Sequence, residues 1–347
     1  TITVNPVNDA PSFTAGPNQT VLEDAGAQSV PGWATAISAG PPDEAGQTLN
    51  FQLTVTGSTG NLAFDAAPAV NATSGDLSFT ATADTAGVAT IDVVLMDDGG
   101  TANGGGDASP AQTFTITVTG INDPPVFSAG PNQTVDEDAG AQSVAGWATG
   151  IDDGDGDVVQ ALTFMVSSDN AALFAAQPAV SPTGTLSYTP AADASGVANV
   201  SVFLMDDGGT ANGGVDTSPT QMFTITVNPV NDPPVNTVPA TRSGDEDTVI
   251  DFTGPNLISV SDVDIAGGML TVNLQTNSGL LIVTAAGGAT VNLNGTVNVQ
   301  VSGTLADVNA TLASLTYQGF TDYNGPDSLM VTSNDNGSTG AGGPQSD

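Results

Sequence analysis

Hydrophobic and polar residues alternate in short runs along this chain. Phe114, Ile116 and Val118 are separated by Thr115 and Thr117, and Phe223, Ile225 and Val227 by Thr224 and Thr226. The runs Leu-Asn-Phe-Gln-Leu-Thr-Val at 49–55 and Ile-Asp-Val-Val-Leu at 91–95 have the same character. A period of two sends successive side chains to opposite faces, so these runs predict half-buried antiparallel strands. Gly, Pro, Asn and Asp fall between them and supply turns. About seven strands in each stretch of the chain predict a two-sheet sandwich. One segment breaks the rule. Leu305, Val308, Leu312 and Leu315 follow a 3.6-residue period behind Thr304, a residue suited to an N-cap. That segment predicts a crossover helix of one to three turns.

The pattern repeats. Residues 18–30 return at 132–144 with one change, Trp33 returns as Trp147, and residues 95–105 return unchanged at 204–214. An Asn-Asp-(Ala/Pro)-Pro landmark begins at Asn8, Asn122 and Asn231, so its copies lie 114 and 109 residues apart. A period this long suits a string of separate domains. The expected domains are 9–121, 122–230 and 231–347, in line as a rod, with 1–8 serving as the final strand and linker of a preceding domain. The third copy is diverged. It keeps Glu246-Asp247, Asp262-Val-Asp264 and Asn334-Asp335.

The opening Thr-Ile-Thr-Val recurs at 115–118 and 224–227, in each case as the last strand of a repeat. The third repeat is expected to lack this strand and to receive it from the next unit. Thr1, Ile2, Thr3 and Val4 would then pair beside the strand near 329–332 of the unit before. The expected partners are identical units head to tail, either as a covalent array or as a polymer of donated strands.

Composition narrows the chemistry. There are 37 acidic residues and one basic residue, Arg242, with no His and no Cys, for a net charge of -36. Such a surface repels nucleic acid and anionic membranes, and no run reaches the ~20 apolar residues of a membrane helix. High charge alone is compatible with disorder. Here 39% of residues are hydrophobic, and they alternate with polar ones, which predicts folded domains whose acids are neutralised by cations. Without Cys no disulfide can brace the fold.

The acids recur at matching places. Glu23-Asp24, Glu137-Asp138 and Glu246-Asp247 follow the first strand region. Asp43-Glu44, then Asp152, Asp153, Asp155 and Asp157, then Asp262 and Asp264, follow the next turn. Asp97-Asp98, Asp206-Asp207 and Asp335 precede the last strand, and Asp9, Asp123 and Asp232 lie in the landmark. A weaker group is Asp84, Asp193 and Asp322. Single acids such as Asp65 and Asp92 read as solvated loop acids. The repeated groups need a counter-charge that Lys and Arg cannot supply. Two unit charges ~4 Å apart cost about 1 kcal/mol in water and more when partly buried. A hard divalent cation bound by oxygens, Ca2+, is the economical solution, since soft metals prefer His and Cys. No stretch matches an EF-hand loop.

These residues resemble the bacterial cadherin-like tandem repeats of giant surface proteins and adhesins. Val-Asn-Asp-Ala-Pro-Ser-Phe at 7–13 is similar to the linker of cadherin domains, and the Glu-Asp pairs, Asp262-Val-Asp264 and the Asp-Asp-Gly-Gly loops sit where such domains carry calcium ligands. The resemblance implies Greek-key Ig-like sandwiches with calcium stiffening the joints. Repeat one departs from it, with Pro41-Pro-Asp43-Glu44 in place of Asp-x-Asp. The expected function is a calcium-stabilised extracellular stalk or fibre on a bacterial surface. The alternative is an adhesin module holding a surface sugar or protein. Trp33 and Trp147 read as core or edge-covering residues rather than sugar-stacking ones, because the third repeat has no Trp. An enzyme is disfavoured: only paired carboxylates could act, and every pair is repeated or lies in a calcium-like loop.

Overall fold

The computed structural model describes residues 2–156, 158–265, 267–337 and 340–347. Proximity of Cα atoms groups the chain into two compact units. One comprises Thr1–Ser128, Thr149–Met165 and Phe203–Thr220; the other comprises Ala129–Ala148, Val166–Val202 and Gln221–Asp347. Thr1, Asp157, Ala266, Ser338 and Thr339 lie outside the described residues.

In the first unit the alternating run at 114–118 forms the strand Gln112–Thr119, with Phe114, Ile116 and Val118 no more than 2% exposed. It pairs antiparallel with Gly87–Met96, whose inward residues Ala89, Ile91, Val93 and Leu95 are all 0% exposed. Its other edge pairs in parallel with Gln19–Leu22. Asn50–Ser58 completes this four-stranded sheet beside Gly87–Met96. The facing sheet is Ala27–Val30, Leu77–Ala81 and Phe64–Val70, and the apolar faces of the two sheets form one core. Trp33 lies in that core at 3% exposure, its ring tilted on Phe114 at 4.4 Å and its Nε1–H donating to the Pro17 carbonyl at 2.9 Å. A Cβ at Gly16 would meet Trp33 at 2.5 Å, so that position is restricted to glycine.

The second unit repeats the plan. Gln133–Asp136 runs parallel to Gln221–Asn228, which is antiparallel to Gly196–Met205. Gln142–Val144, Leu186–Pro190 and Phe174–Val180 make the facing sheet. Trp147 packs on Phe223 at 4.4 Å, as Trp33 does on Phe114.

The third repeat, in the same unit, sets Thr290–Asn292, Asn298–Thr304, Met269–Gln275 and Met330–Asn334 against Val249–Asp251, Thr316–Gly319 and Gly279–Ile282. The expected helix is present as Leu305–Leu312, with the Thr304 hydroxyl accepting from the Asp307 N–H. Val308, Leu312 and Leu315 are fully buried. Asn309 ties the helix to the sandwich through both Val260 backbone groups, each at 2.8 Å. Met330–Asn334 pairs with Met269–Gln275 on one edge. On the other edge Asn334 bridges Ser346, and Ser333 and Asp347 exchange backbone bonds. Ile2, Thr3 and Val4 lie outside any strand, with Ile2 95% and Val4 88% exposed.

Candidate metal centres

Among the described residues, two groups of three carboxylates bring an oxygen from each residue within 4.8 Å of the others: Asp24, Asp84 and Asp123, and Asp138, Asp193 and Asp232. Each group lies within one compact unit. Four of the six aspartates, Asp24, Asp84, Asp138 and Asp193, are in the left-handed region, with φ between 54° and 60°. Asp tolerates that region better than most residues because its short side chain can bond locally. Asp247 and Asp322 repeat the shape in the third repeat, where the Asp322 N–H donates to Asp247 Oδ1 at 3.1 Å.

A buried glutamate delivers the third aspartate. Glu23 and Glu137 are 2% and 3% exposed. Their N–H groups donate to the carbonyls of Thr119 and Asn228, and their carboxylates accept from the N–H groups of Ile121 and Val230. The chain leaving the last strand is thereby turned, and Asn-Asp arrives beside the left-handed pair. Glu246 is exposed by contrast.

The asparagine of the landmark is a latch. Asn122 Nδ2 donates to Asp206 Oδ1 at 2.9 Å and to the Val215 carbonyl, and its Oδ1 accepts from Gln160 Nε2. Asn8 repeats all three bonds with Asp97, Gly106 and Gln47. Asn231 donates to Asp335 and Gly343. The glycine after each Asp-Asp makes room, since a Cβ at Gly208 would lie 1.8 Å from Asn122 Oδ1.

The other expected ligands fall into two kinds. Some turn inward. Glu44, 8% exposed, accepts from the Asp9 N–H at 2.8 Å, and Asp264 accepts from the Asp232 N–H at 2.6 Å. Asp262 Oδ1 accepts from the N–H groups of Asp264 and Ile265. Others hold loops. Asp98 accepts from the Thr48 N–H, Asp207 from Ala161, Asp153 from Gln160 and Asp152 from Gly154, while Asp155 accepts from Gln160 Nε2. Asp43 and Asp9 are exposed, and Asp157 lies outside the described residues. Asp84 and Asp193 stand out least in the sequence, because they sit in Ala- and Thr-rich turns. Their one local signal is a shared place, three residues before Gly87 and Gly196, where the two longest strands begin.

One oxygen of each of Glu44, Asp97, Asp206, Asp232 and Asp262 is shut off from solvent with no hydrogen-bond donor among the described residues. The amide oxygens of Gln47 and Gln160 are in the same condition. A dry, unpartnered carboxylate oxygen is costly, and a hard cation with six to eight oxygen ligands satisfies several at once. The donor set fits calcium: carboxylates and amides, no nitrogen ring, no sulfur.

The electrostatics agree. Burial, then the charges of Asp24, Asp84 and Asp155, raises the Asp123 pKa. Burial, then Asp264, Asp138 and Asp193, raises that of Asp232. Burial also raises Glu137 and Asp262, partly offset by the N–H groups they accept. At Asp335 burial pushes upward, but bonds from Gly337, Gln345 and Asn231 outweigh it and the pKa falls.

Residues 122–218 match the family described as a bacterial Ig domain. No curated protein matches the chain. Among solved structures the chain is similar to human CDH23 EC21-23, at 15% identity over 98% of each chain with a TM-score of 0.40. It is similar to human protocadherin-24 EC1-2, at 16% identity over 63% of this chain and 98% of that one, TM-score 0.35. It is also similar to Drosophila N-cadherin EC1-4, at 15% identity over 99% and 74%, TM-score 0.31. Residues 122–218 are thus similar to a bacterial Ig domain, and each of the three repeats folds as a four-plus-three-stranded β-sandwich.

Proposed function

We propose that this chain is a calcium-stabilised structural stalk of the extracellular bacterial surface, non-enzymatic and built by head-to-tail repetition of the unit. The observation that carries the reading is the convergence of three carboxylates within 4.8 Å at each of two places, in a chain whose one basic residue is Arg242; five dry carboxylate oxygens without donors among the described residues, Asp232 included, add to it. Asp24, Asp84 and Asp123 would hold one ion, and Asp138, Asp193 and Asp232 another, with Glu23 and Glu137 turning the chain toward them and Asp206 and Asp335 in the asparagine latch. Calcium supplies positive charge and oxygen coordination when bound. The protein's own part is to turn the chain with the buried glutamates, fix it with the asparagine latch, and present converging acids. Without a cation these acids repel and the turns loosen. Extracellular calcium is abundant enough to fill weak sites of many carboxylates.

Head-to-tail repetition is supported by the repeat itself. Ile116, Val118, Ile225 and Val227 are core residues at 0–2% exposure, and Thr-Ile-Thr-Val stands at 1–4 as well. Leu329 and Val331 are only partly buried, whereas Ile91 and Val93 on the equivalent first-repeat strand are 0% exposed. A strand of that sequence beside Met330–Asn334, from a covalently continuous array or from a separate copy, would cover them.

The test is thermal unfolding in calcium and in EDTA, with calorimetric titration of the chelated protein. We expect several ions per chain and a melting temperature at least 10 °C higher in calcium, since saturation at 1,000-fold over Kd adds about 4 kcal/mol for each site. Identical melting curves would sink the reading.

A further inference from the structure

We infer that the outer face of the third repeat is a binding site for neutral oligosaccharide, a role separate from the metal centres. The face is built from three adjacent strands, Thr290–Asn292, Asn298–Thr304 and Met269–Gln275. Their inward residues Leu270, Val272, Leu274, Val299 and Val301 are core. Strand alternation therefore points Thr271, Asn273, Gln275, Asn292, Asn298, Gln300 and Ser302 to the opposite side. All carry an amide or a hydroxyl, and none is charged. This is unusual in a chain with a net charge of -36. The corresponding sheet of the first repeat carries Asp92 on its outer side, bonded to the Thr113 hydroxyl at 2.6 Å.

The polar groups are ordered across the strands. Asn292 Nδ2 donates to Gln300 Oε1 at 3.1 Å, and Gln300 Nε2 donates to Asn273 Oδ1 at 3.1 Å. One row further along, Thr271 and Ser302 hydroxyls share a bond at 3.2 Å. Each amide keeps further donor or acceptor capacity after these bonds. The ladder thus holds it in fixed positions, and a ligand need not order those side chains.

A cleft of about 300 Å³ opens on this ladder, with Asn273, Gln275, Asn292, Leu293, Asn298 and Gln300 in its lining. Its rim holds Leu293, which is 65% exposed at φ 57°. A leucine in the left-handed region is unfavourable, and such strain concentrates where a side chain must be presented. The hairpin that carries it is clamped: Asn294 bonds both backbone groups of Val283, at 3.0 and 2.8 Å, and the Thr296 hydroxyl donates to the Leu293 carbonyl at 2.7 Å. An apolar side chain fixed beside an amide ladder suits a ligand with a C–H face and a row of hydroxyls. That is a sugar ring. The chain's field disfavours anionic polymers. The cleft has no carboxylate to select a cation. A neutral saccharide remains, and the cleft is at the small end of ligand sites, with room for a short stretch of glycan.

The experiment is titration of the whole isotope-labelled chain, followed by amide NMR, with tetrasaccharides of glucose, mannose, xylose and N-acetylglucosamine, and with a galacturonate tetramer as acidic control. Titrations are run in calcium and in EDTA, so that failure of the metal reading leaves this result interpretable. We expect at least one neutral tetrasaccharide to perturb residues 273, 275, 292, 293, 298 and 300 in a saturable way, and the acidic control not to. Asn273→Ala with Gln300→Ala should weaken that binding at least tenfold. Leu293→Gly relieves the backbone strain, so it should weaken binding at least threefold while leaving the melting temperature unchanged or higher. Three outcomes overturn the inference: no perturbation of this face by any neutral sugar at 10 mM, perturbation by the acidic control alone, or binding that is indifferent to these substitutions.

Discussion

Acidic side chains in this chain carry opposite loads depending on what surrounds them. Asp327 accepts from the hydroxyls of Thr276 and Tyr317 and from the N–H groups of Asn277, Ser278 and Ser328. Burial works against its charge, yet these donors outweigh it and hold its pKa at about 2; Tyr317 beside it is pushed up to about 12, by burial first and then by that carboxylate. An acid with a lowered folded pKa stabilises fully above its ordinary value of 3.8 and loses the effect as pH falls toward 2. Asp327→Asn should therefore cost about 1–2 kcal/mol at pH 7 and much less at pH 2, read by urea unfolding at both values. Asp123, Asp232, Glu137 and Asp262 behave in reverse. Their raised pKa values mean that the folded state holds protons more tightly than the unfolded one. Their penalty is present at neutral pH and is relieved as pH falls through the raised values. In EDTA the melting temperature should rise as pH falls from neutrality through the raised values, and in calcium this rise should vanish because protons and calcium compete. A chelated protein that only loses stability on mild acidification would contradict this.

The elements differ in what holds them. The strands are held by alternation: in Gly87–Met96 every second residue from Ala89 to Leu95 is fully buried, and the ladder is completed on both edges. The helix Leu305–Leu312 is only eight residues long, too short to persist alone. It depends on its cap and on Val308, Leu312 and Leu315 in the core. Thr304→Ala removes the hydroxyl that accepts from Asp307 and should cost about 1 kcal/mol, whereas Thr304→Ser should be nearly neutral. Denaturant midpoints of the two variants check this. Tryptophan placement follows packing: Trp33 and Trp147 each fill the same space against a Phe of the last strand, with Gly16 and Gly130 as the only residue type that fits beside them.

For the whole molecule, charge and repetition set the behaviour. A net charge of -36 opposes compaction, and the cations of the proposed function would reduce it. If separate copies associate through residues 1–4, Ile2→Asp with Val4→Asp should return any fast-sedimenting species in calcium to the monomer. The same pair should leave the melting temperature of the lone chain unchanged, because both side chains are exposed there. Sedimentation velocity on the two proteins tests this. Persistence of the fast species in the double variant would exclude that strand as the contact.

Much of this was readable from residues one at a time. Phe114, Ile116 and Val118 declare a strand by their spacing, Leu305, Val308, Leu312 and Leu315 declare a helix, and the recurrence of residues 18–30 and 95–105 declares that the first two repeats share one strand plan. These are local signals, because side-chain direction in a strand or helix depends only on neighbouring backbone. The same sequence pointed to clustered acids through Glu23-Asp24 and Glu137-Asp138. It could not say which oxygens converge. Asp84 and Asp193 lie about 60 and 55 residues from Asp24 and Asp138, in turns with no marking of their own, and they meet their partners only because the sandwich folds both turns to one end. Nor could sequence separate Glu44, whose carboxylate turns into a dry interior, from the adjacent Asp43, which stays in water. That distinction is decided by which side chain the packed backbone shields from solvent, a property of the closed sandwich and not of any short stretch of chain.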